Sequence, residues 1–105
     1  MKTRFLFIIL IFFSVLYPQV GVSSLKLKKI NGKTVKLSSY LSKGPVLINF
    51  WATWCAPCKK EMIHLDNLQK KYSNQGLSIL AISTDSQKSL SKVRSFIRTK
   101  KYSFD

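Results

Sequence analysis

The chain has 105 residues, 18 of them Lys or Arg and 4 of them Asp or Glu, which gives a formal net charge of +14. This length provides for one small domain and excludes a second. The charge suits contact with an anionic membrane surface or acidic partners, although a solvated basic surface is the simpler interpretation. The lysines are scattered, without an aromatic RNA-binding motif or a helix-turn-helix pattern, so we expect no nucleic-acid partner.

Residues 1–23 have the composition of a secretory signal peptide. Lys2 and Arg4 form a positively charged start, an apolar run extends from Phe5 to Tyr17, and small and polar residues follow it. The run is shorter than the roughly 20 residues of a membrane-spanning helix, which favours cleavage, and an uncleaved N-terminal anchor stays open. Either interpretation places the domain of residues 24–105 outside the inner membrane, in the periplasm or at the membrane's outer face.

The first folded segment predicts a β-hairpin. Apolar residues alternate with Lys over residues 25–30 and again over residues 35–37, as in strands with one buried face. Asn31-Gly32 between them tolerates the positive φ angles of a two-residue type I′ turn. Residues 38–42 then predict a single helical turn.

A strand, a helix and a second strand are predicted next. Val46 to Ala52 is a nearly unbroken apolar run, typical of a central strand that is covered on both faces. From Cys58 onward, apolar residues recur at spacings of three and four, which predicts an amphipathic helix with an exit at Gly76. Residues 77–83 form the second buried strand. Two such strands joined by a helix predict a parallel βαβ unit.

Another helix completes the predicted order ββ, β, α, β, α. Asp85 or Ser86 is a suitable helix cap. The helix that follows has one apolar face, formed by Leu90, Val93 and Ile97. The fold class is therefore α/β, an N-terminal β-hairpin followed by a βαβα unit. The chain ends at residues 102–105, where the pattern predicts a further strand.

Cys55-Ala56-Pro57-Cys58 lies between the first buried strand and its helix. This places Cys55 at the helix N-terminus, where unpaired N–H groups and the helix dipole stabilise a thiolate, the attacking species in disulfide exchange. Cys58, one turn further, shares a face with Cys55 and resolves the mixed disulfide. Pro57 presets the first helical turn and stiffens the loop, so its predicted role is structural. The sequence thus predicts a nucleophile, Cys55, and a resolving thiol, Cys58.

Other interpretations of the cysteine pair carry less weight. A structural disulfide is compatible with export, but so small a ring removes little entropy from the unfolded chain. Zinc needs about four ligands, and His64 is the only histidine available. Covalent haem attachment needs a histidine directly after the second cysteine, where this chain has Lys59. We expect neither a metal nor a cofactor beyond the redox-active disulfide.

The segment around the cysteine pair closely resembles the thioredoxin superfamily, in particular its exported TlpA/ResA-like branch. Its sequence is Phe50-Trp51-Ala52-Thr53-Trp54-Cys55-Ala56-Pro57-Cys58-Lys59-Lys60-Glu61-Met62. The resemblance extends over about residues 25–105. It implies a thioredoxin-like fold and a thiol:disulfide oxidoreductase of exported proteins. It also implies cysteine-containing exported partners, notably apocytochromes c, and a membrane thiol-donor protein as the source of electrons, which suggests a place in cytochrome c maturation.

The resemblance also implies two supporting residues. Trp54 packs beside the active disulfide, and Glu61 matches an acidic residue that tunes the thiols, although a solvated helix carboxylate is an equal alternative for Glu61. The chain departs from the branch at Ile63, where a proline is usual. It also lacks any proline after Pro57, and with it the substrate-binding cis-proline of the fold. We therefore expect residues 24–105 to be an incomplete domain that lacks the C-terminal part of the fold.

Two alternatives to an exchange enzyme are a non-catalytic module and a peroxiredoxin. A truncated, non-catalytic remnant or a membrane-surface binding module would not use the thiols for catalysis. A peroxiredoxin would share the fold, but its peroxidatic cysteine follows a threonine by three residues and has no second cysteine three residues later. Here Thr53 lies two residues before Cys55. The pattern favours dithiol–disulfide exchange.

Overall fold

The computed structural model describes residues 21–105. Its strands and helices, in chain order, are β1 (Lys26–Lys28), β2 (Thr34–Lys36), α1 (Leu37–Leu41), β3 (Val46–Trp51), α2 (Ala56–Tyr72), β4 (Ser78–Ser83) and α3 (Leu90–Lys100). Short 3₁₀ turns occupy Val22–Ser24, Ser73–Gln75 and Gln87–Ser89. The predicted order of elements is confirmed.

The predicted signal peptide or anchor, residues 1–23, lies outside the described residues except for its last three positions. Within residues 21–105, no helix combines the length and the apolar character that crossing a membrane requires.

The hairpin of β1 and β2 is antiparallel, with Leu27 opposite Val35. The predicted two-residue type I′ turn is wrong. Gly32 has a φ of 89°, but Asn31 does not have a positive φ, and the amide of Gly32 donates to the carbonyl of Lys29 at 2.9 Å. The loop is thus a three-residue turn that ends in a left-handed glycine. The Asn31 side chain instead accepts a hydrogen bond from the Lys33 amide at 3.0 Å.

Strands β3 and β4 form the predicted parallel pair, in register from Val46 opposite Ser78 to Trp51 opposite Ser83. The far edge of β4 carries the last described residue. The Asp105 amide donates to the Ile79 carbonyl at 3.2 Å, and the Ala81 amide donates to the Asp105 carbonyl at 2.7 Å. These are the bonds of a parallel ladder, so Asp105 lies beside β4 at the edge where the sequence predicts a further strand.

Strand β3 is not covered on both faces, contrary to the prediction for a central strand. Trp51 is 2% exposed, whereas Phe50 is 63% exposed and Ile48 is 38% exposed. Successive side chains of a strand point to opposite faces. Within residues 21–105, β4 is the only strand that pairs with β3, and nothing in this part of the chain buries the face of Ile48 and Phe50.

The buried side chains form two clusters on the β3–β4 pair. In the first, the hairpin and α1 pack Leu37 and Tyr40 against Leu80 of β4. In the second, α2 and α3 pack Met62 and Val93 against Trp51 of β3, next to Phe96, Tyr102 and Phe104. The second cluster lies directly behind the cysteine pair, because Trp51 ends the strand and Cys58 packs against the same cluster.

Helix α2 carries one buried polar residue that the amphipathic pattern did not predict. The Gln69 amide donates to the Leu77 carbonyl at 2.9 Å and accepts from the Ile79 amide at 2.8 Å. Both backbone groups lie at the start of β4, so Gln69 satisfies them where the strand enters the core. The predicted exit of the helical segment is confirmed, since Gly76 has a left-handed φ of 87°.

Neither predicted helix cap is used. Helix α3 begins at Leu90 after a 3₁₀ turn, and no side chain caps either of them. Ser86 lies at the start of the turn without a capping hydrogen bond. The Asp85 carboxylate is directed instead toward Thr53, two residues beyond the end of β3.

A carboxylate on α2 anchors the segment between α3 and Asp105. Asp66 accepts hydrogen bonds from the amide and the hydroxyl of Ser103, at 2.7 and 2.6 Å, and lies 2.8 Å from the Lys70 ammonium. The hydrogen bond from Lys70 and those from Ser103 lower the pKa of Asp66 to about 2. The ionised form is therefore favoured by the fold, and Asp66 stabilises the protein at neutral pH.

The D66N variant should lose about 1 kcal/mol of unfolding free energy at pH 6, because the partly exposed ion pair and one charged acceptor are lost. The Asp66 pKa is about 2 in the folded protein, below its ordinary value, so its contribution is complete well above about pH 4 and is lost progressively as the pH falls through about 2. Urea melts of both proteins from pH 6 to pH 2 measure this. Equal midpoints at pH 6 would contradict the prediction.

Candidate active site

Cys55 and Cys58 form a disulfide at the junction of β3 and α2, with their Cα atoms 5.3 Å apart. Cys55 is the N-cap residue of α2, and its Sγ accepts a hydrogen bond from the Cys58 amide at 3.3 Å. Cys58 is the third residue of the helix. The predicted placement of the pair is therefore confirmed, and the first sulfur lies where a helix presents unpaired N–H groups.

The backbone around the pair forms a tight turn followed at once by the helix. The Cys55 amide donates to the Ala52 carbonyl at 3.0 Å, and the Cys55 carbonyl accepts the first helical bond, from the Lys59 amide at 3.2 Å. Pro57 is the second residue of the helix, where its missing N–H has no intrahelical partner to lose. The local sequence thus sets the conformation that holds both sulfurs.

The charges in the first turns of α2 favour an anionic sulfur. The first turn contains no acidic residue, and Lys59 and Lys60 follow the pair directly. The Lys59 ammonium lies 5.6 Å from the centre of the Phe96 ring, a cation–π contact that holds this side chain against α3. We expect the helix N-terminus to be the main source of thiolate stabilisation and the lysines to be secondary, because exposed lysines are well screened.

The surface beside the disulfide is apolar and accessible. Trp54 is 79% exposed, and Ala56 and Pro57 are exposed as well. The Trp54 ring is therefore largely uncovered, and its packing beside the disulfide stays a prediction. Glu61 is also exposed, in the second turn of α2, and its tuning role stays a prediction.

A polar cluster beside the cysteine loop was not predicted from the sequence. Asp85 accepts hydrogen bonds from the Thr53 amide at 3.0 Å, from the Thr53 hydroxyl at 2.6 Å and from the Ser83 hydroxyl at 2.7 Å. Burial raises the pKa of Asp85, but the hydrogen bonds from Thr53 and Ser83 outweigh it, so the pKa lies below its ordinary value. Asp85 is thus held as a carboxylate.

A sequence signal for this cluster exists. Thr53 follows β3 and Asp85 follows β4, and parallel neighbouring strands end at the same edge of their sheet.

As for metal binding, residues 21–105 contain no group of three or more His, Cys, Asp or Glu side chains placed to hold an ion.

Known proteins that resemble the chain include a thiol-disulfide oxidoreductase and a thioredoxin-like protein. The thiol-disulfide oxidoreductase ResA of Bacillus subtilis is 44% identical over 62 residues, which are 59% of this chain and 34% of that protein. The thioredoxin-like protein YneN of the same organism is 42% identical over 74 residues, 70% of this chain and 42% of that protein. The matched stretches thus span well under half of these relatives.

Solved structures confirm the fold. The thiol:disulfide interchange protein of the thioredoxin family from Chlorobium tepidum matches with a TM-score of 0.66 and 27% identity, over 79% of this chain and 55% of that chain. The thioredoxin domain of a Bacteroides vulgatus thiol-disulfide oxidoreductase matches with a TM-score of 0.60 and 28% identity, over 77% of this chain and 56% of that chain. The mixed α/β arrangement is therefore thioredoxin-like.

The family follows from a match over most of the chain. The model of the AhpC/TSA family matches residues 20–105, which include the hairpin, the βαβα unit and the cysteine pair. With its thioredoxin-like fold, the chain belongs to the AhpC/TSA family.

Proposed function

We propose that this protein is an exported thiol:disulfide oxidoreductase that exchanges disulfides with cysteines of other proteins through Cys55 and Cys58. The observation that carries the proposal is the position of Cys55 at the N-cap of α2, with its sulfur accepting the Cys58 amide. A sulfur in this position is stabilised as a thiolate, and the second sulfur is already within bonding reach.

The exchange proceeds in two displacements. In the reduced protein, the Cys55 thiolate attacks a sulfur of the client disulfide, so that a Cys55–client disulfide forms and the other client sulfur leaves as a thiolate. The Cys58 thiolate then attacks the Cys55 sulfur, which breaks the mixed disulfide and releases the second client thiolate. The client gains two electrons, and the protein ends with the Cys55–Cys58 disulfide. An external dithiol donor returns two electrons for the next cycle.

The clients we propose are exported proteins with cysteine pairs, and apocytochromes c are the specific candidates. Two features support this. Residues 1–23 have the pattern of a signal peptide or anchor, and the motif around Cys55 resembles the exported TlpA/ResA-like branch. A membrane thiol-donor protein would reduce the pair, in the periplasm or at the outer face of the inner membrane.

Equilibration with a glutathione redox buffer tests the proposal on the full chain. Catalytic function predicts a defined equilibrium between dithiol and disulfide together with a cooperative urea transition. A disulfide-bonded peptide with Cys-x-x-Cys-His spacing should be reduced faster than a peptide with the same composition and wider cysteine spacing. Slow, unselective thiol reactivity without a defined equilibrium would support the non-catalytic remnant instead, and equal rates for the two peptides would remove the apocytochrome proposal alone.

One observation favours a second role, binding to an anionic membrane surface. Leu27 and Val35 of the hairpin pack toward the core, so Lys26, Lys28 and Lys36 project outward, and all three are exposed. Lys26 and Lys36 are direct cross-strand partners. Like charges placed opposite each other are destabilising, and an anionic surface would relieve their repulsion.

Vesicle sedimentation tests this second role. The K26S/K28S/K36S variant should bind vesicles of anionic lipid less than the wild type does, and the difference should shrink with added salt. The variant K71S/K92S/K100S removes the same charge from α2 and α3 and is the matched control. Equal losses in both variants would show that only net charge matters.

A further inference from the structure

The strands β3 and β4 end side by side, next to the cysteine loop. Trp51 and Ser83 are the last paired residues, and the Thr84 amide continues the ladder by donating to the Trp51 carbonyl at 2.8 Å. Thr53 and Asp85 therefore leave the sheet at the same edge, although they are 32 positions apart in the chain. Carboxyl ends of parallel strands are the usual place for functional groups in α/β folds.

The Asp85 carboxylate accepts hydrogen bonds from both donors of Thr53, its backbone amide and its side-chain hydroxyl. The Thr53 amide donates to Oδ2 at 3.0 Å and the Thr53 hydroxyl donates to Oδ1 at 2.6 Å. The Ser83 hydroxyl donates to Oδ2 at 2.7 Å and accepts from the Asp85 amide at 3.1 Å, which fixes the carboxylate from the other side. The three bonds that the carboxylate accepts are charge-assisted, the stronger kind in proteins, and the two from hydroxyl groups are short.

Thr53 lies inside the turn that delivers Cys55 to the helix. That turn is closed by the Cys55 amide, which donates to the Ala52 carbonyl at 3.0 Å. Ala52 is 2% exposed and so is fixed by packing, whereas the two residues before Cys55 are partly or largely exposed. Within this turn, the hydrogen bonds to Asp85 are the side-chain restraint on Thr53.

We propose that Asp85 is a positioning residue for the cysteine pair: through Thr53 it fixes the turn of residues 52–55 and so aligns the Cys55 sulfur with the first N–H groups of α2. This role rests on the proposed exchange function and names a residue that acts on the pair from outside the Cys-x-x-Cys loop. A carboxylate suits the task because three donors converge on its two oxygens, and a neutral amide provides only one acceptor oxygen.

The charge of Asp85 and its positioning act on Cys55 with opposite signs. A carboxylate near a thiolate disfavours the thiolate by repulsion, so removing the charge alone would increase the reactivity of Cys55. Loss of the aligned helix N–H groups would decrease it. The D85N variant, which keeps the size of the side chain, therefore separates the two effects by the direction of the change.

The experiment measures the rate at which iodoacetamide alkylates Cys55 in the reduced full chain, from pH 5 to pH 9. D85N should react about fivefold more slowly than the wild type at pH 6.5, with the rate profile displaced to higher pH. Its glutathione equilibrium should move toward the disulfide, because the reduced form loses thiolate stabilisation. T53V, which keeps the amide donor and loses the hydroxyl, should show a smaller change of the same sign, and T53S should react faster than T53V. S86A is the matched control in the same exposed loop.

Three outcomes would overturn the positioning role. The first is an alkylation rate in D85N equal to or above that of the wild type. The second is a change of the same size in S86A. The third is a loss of reactivity that matches the unfolded fraction measured by circular dichroism, since a merely structural role predicts that result. A wild type without a defined glutathione equilibrium would instead overturn the proposed function, so the two failures are distinguishable.

Discussion

The C58S variant should accumulate as a covalent complex with its client. Cys55 still attacks the client disulfide, but the third residue of α2 no longer provides the thiolate that displaces the client. Turnover of a disulfide-bonded peptide should fall by about 10³-fold or more, as for other nucleophile losses in covalent catalysis. Non-reducing gels and mass spectrometry of the reduced protein after mixing with the peptide measure the trapped species.

The C55S variant is the matched control, because it removes the other sulfur of the same disulfide. It should lose turnover to the same extent and trap no client, since the remaining Cys58 is the third helix residue and partly buried. Trapping by C55S instead of C58S would reverse the assigned roles. Trapping by neither variant would mean that the pair does not exchange disulfides with the peptide.

The positions of the two cysteines could be predicted because they follow from local sequence. An apolar β-forming run, a Cys-Ala-Pro-Cys segment and an amphipathic repeat lie next to one another. Each of them fixes a neighbouring element, so the junction of β3 and α2 could only fall at Cys55. The same reasoning gives the parallel β3–β4 pair, because a buried strand, a helix and a buried strand leave few other topologies.

The misjudged details concern residues for which the local sequence allows more than one arrangement. Asp is a residue type that commonly caps helices, so the local sequence predicts that role for Asp85. Its carboxylate instead accepts hydrogen bonds from the amide and the hydroxyl of Thr53, a residue that is distant in the chain. Asn31-Gly32 has the composition of a type I′ turn, yet Gly32 alone takes the positive φ. In both cases several conformations satisfy the local preference. A distant residue selects one of them for Asp85, and the turn is closed by hydrogen bonds within the hairpin itself.

The exposed face of β3 shows a second limit of prediction from the sequence. Its composition predicts burial on both faces, but composition does not say which part of a protein provides the cover. Phe50 and Ile48 are exposed among residues 21–105, in a chain that spans a little over half of its solved structural neighbours. An apolar strand therefore predicts a covered face without locating the covering element.

The M62A variant should lose about 3 kcal/mol of unfolding free energy, a large effect for a single substitution. Met62 is fully buried, at 0% exposure, and packs in the cluster that contains Trp51 and Val93. Truncation leaves a cavity that the surrounding side chains fill only in part. A domain of this size has little stability in reserve, so much of the cooperative urea transition should be lost.

The neighbouring residue on α2 provides the control. Ile63 is 53% exposed, so I63A removes a comparable apolar side chain from the same helix without opening a cavity and should change stability by less than about 1 kcal/mol. Urea melts followed by circular dichroism compare the two variants. Similar losses would mean that the cluster behind the cysteine pair is not tightly packed, whereas a loss confined to M62A would show that one side chain holds α2, and with it Cys58, against Trp51.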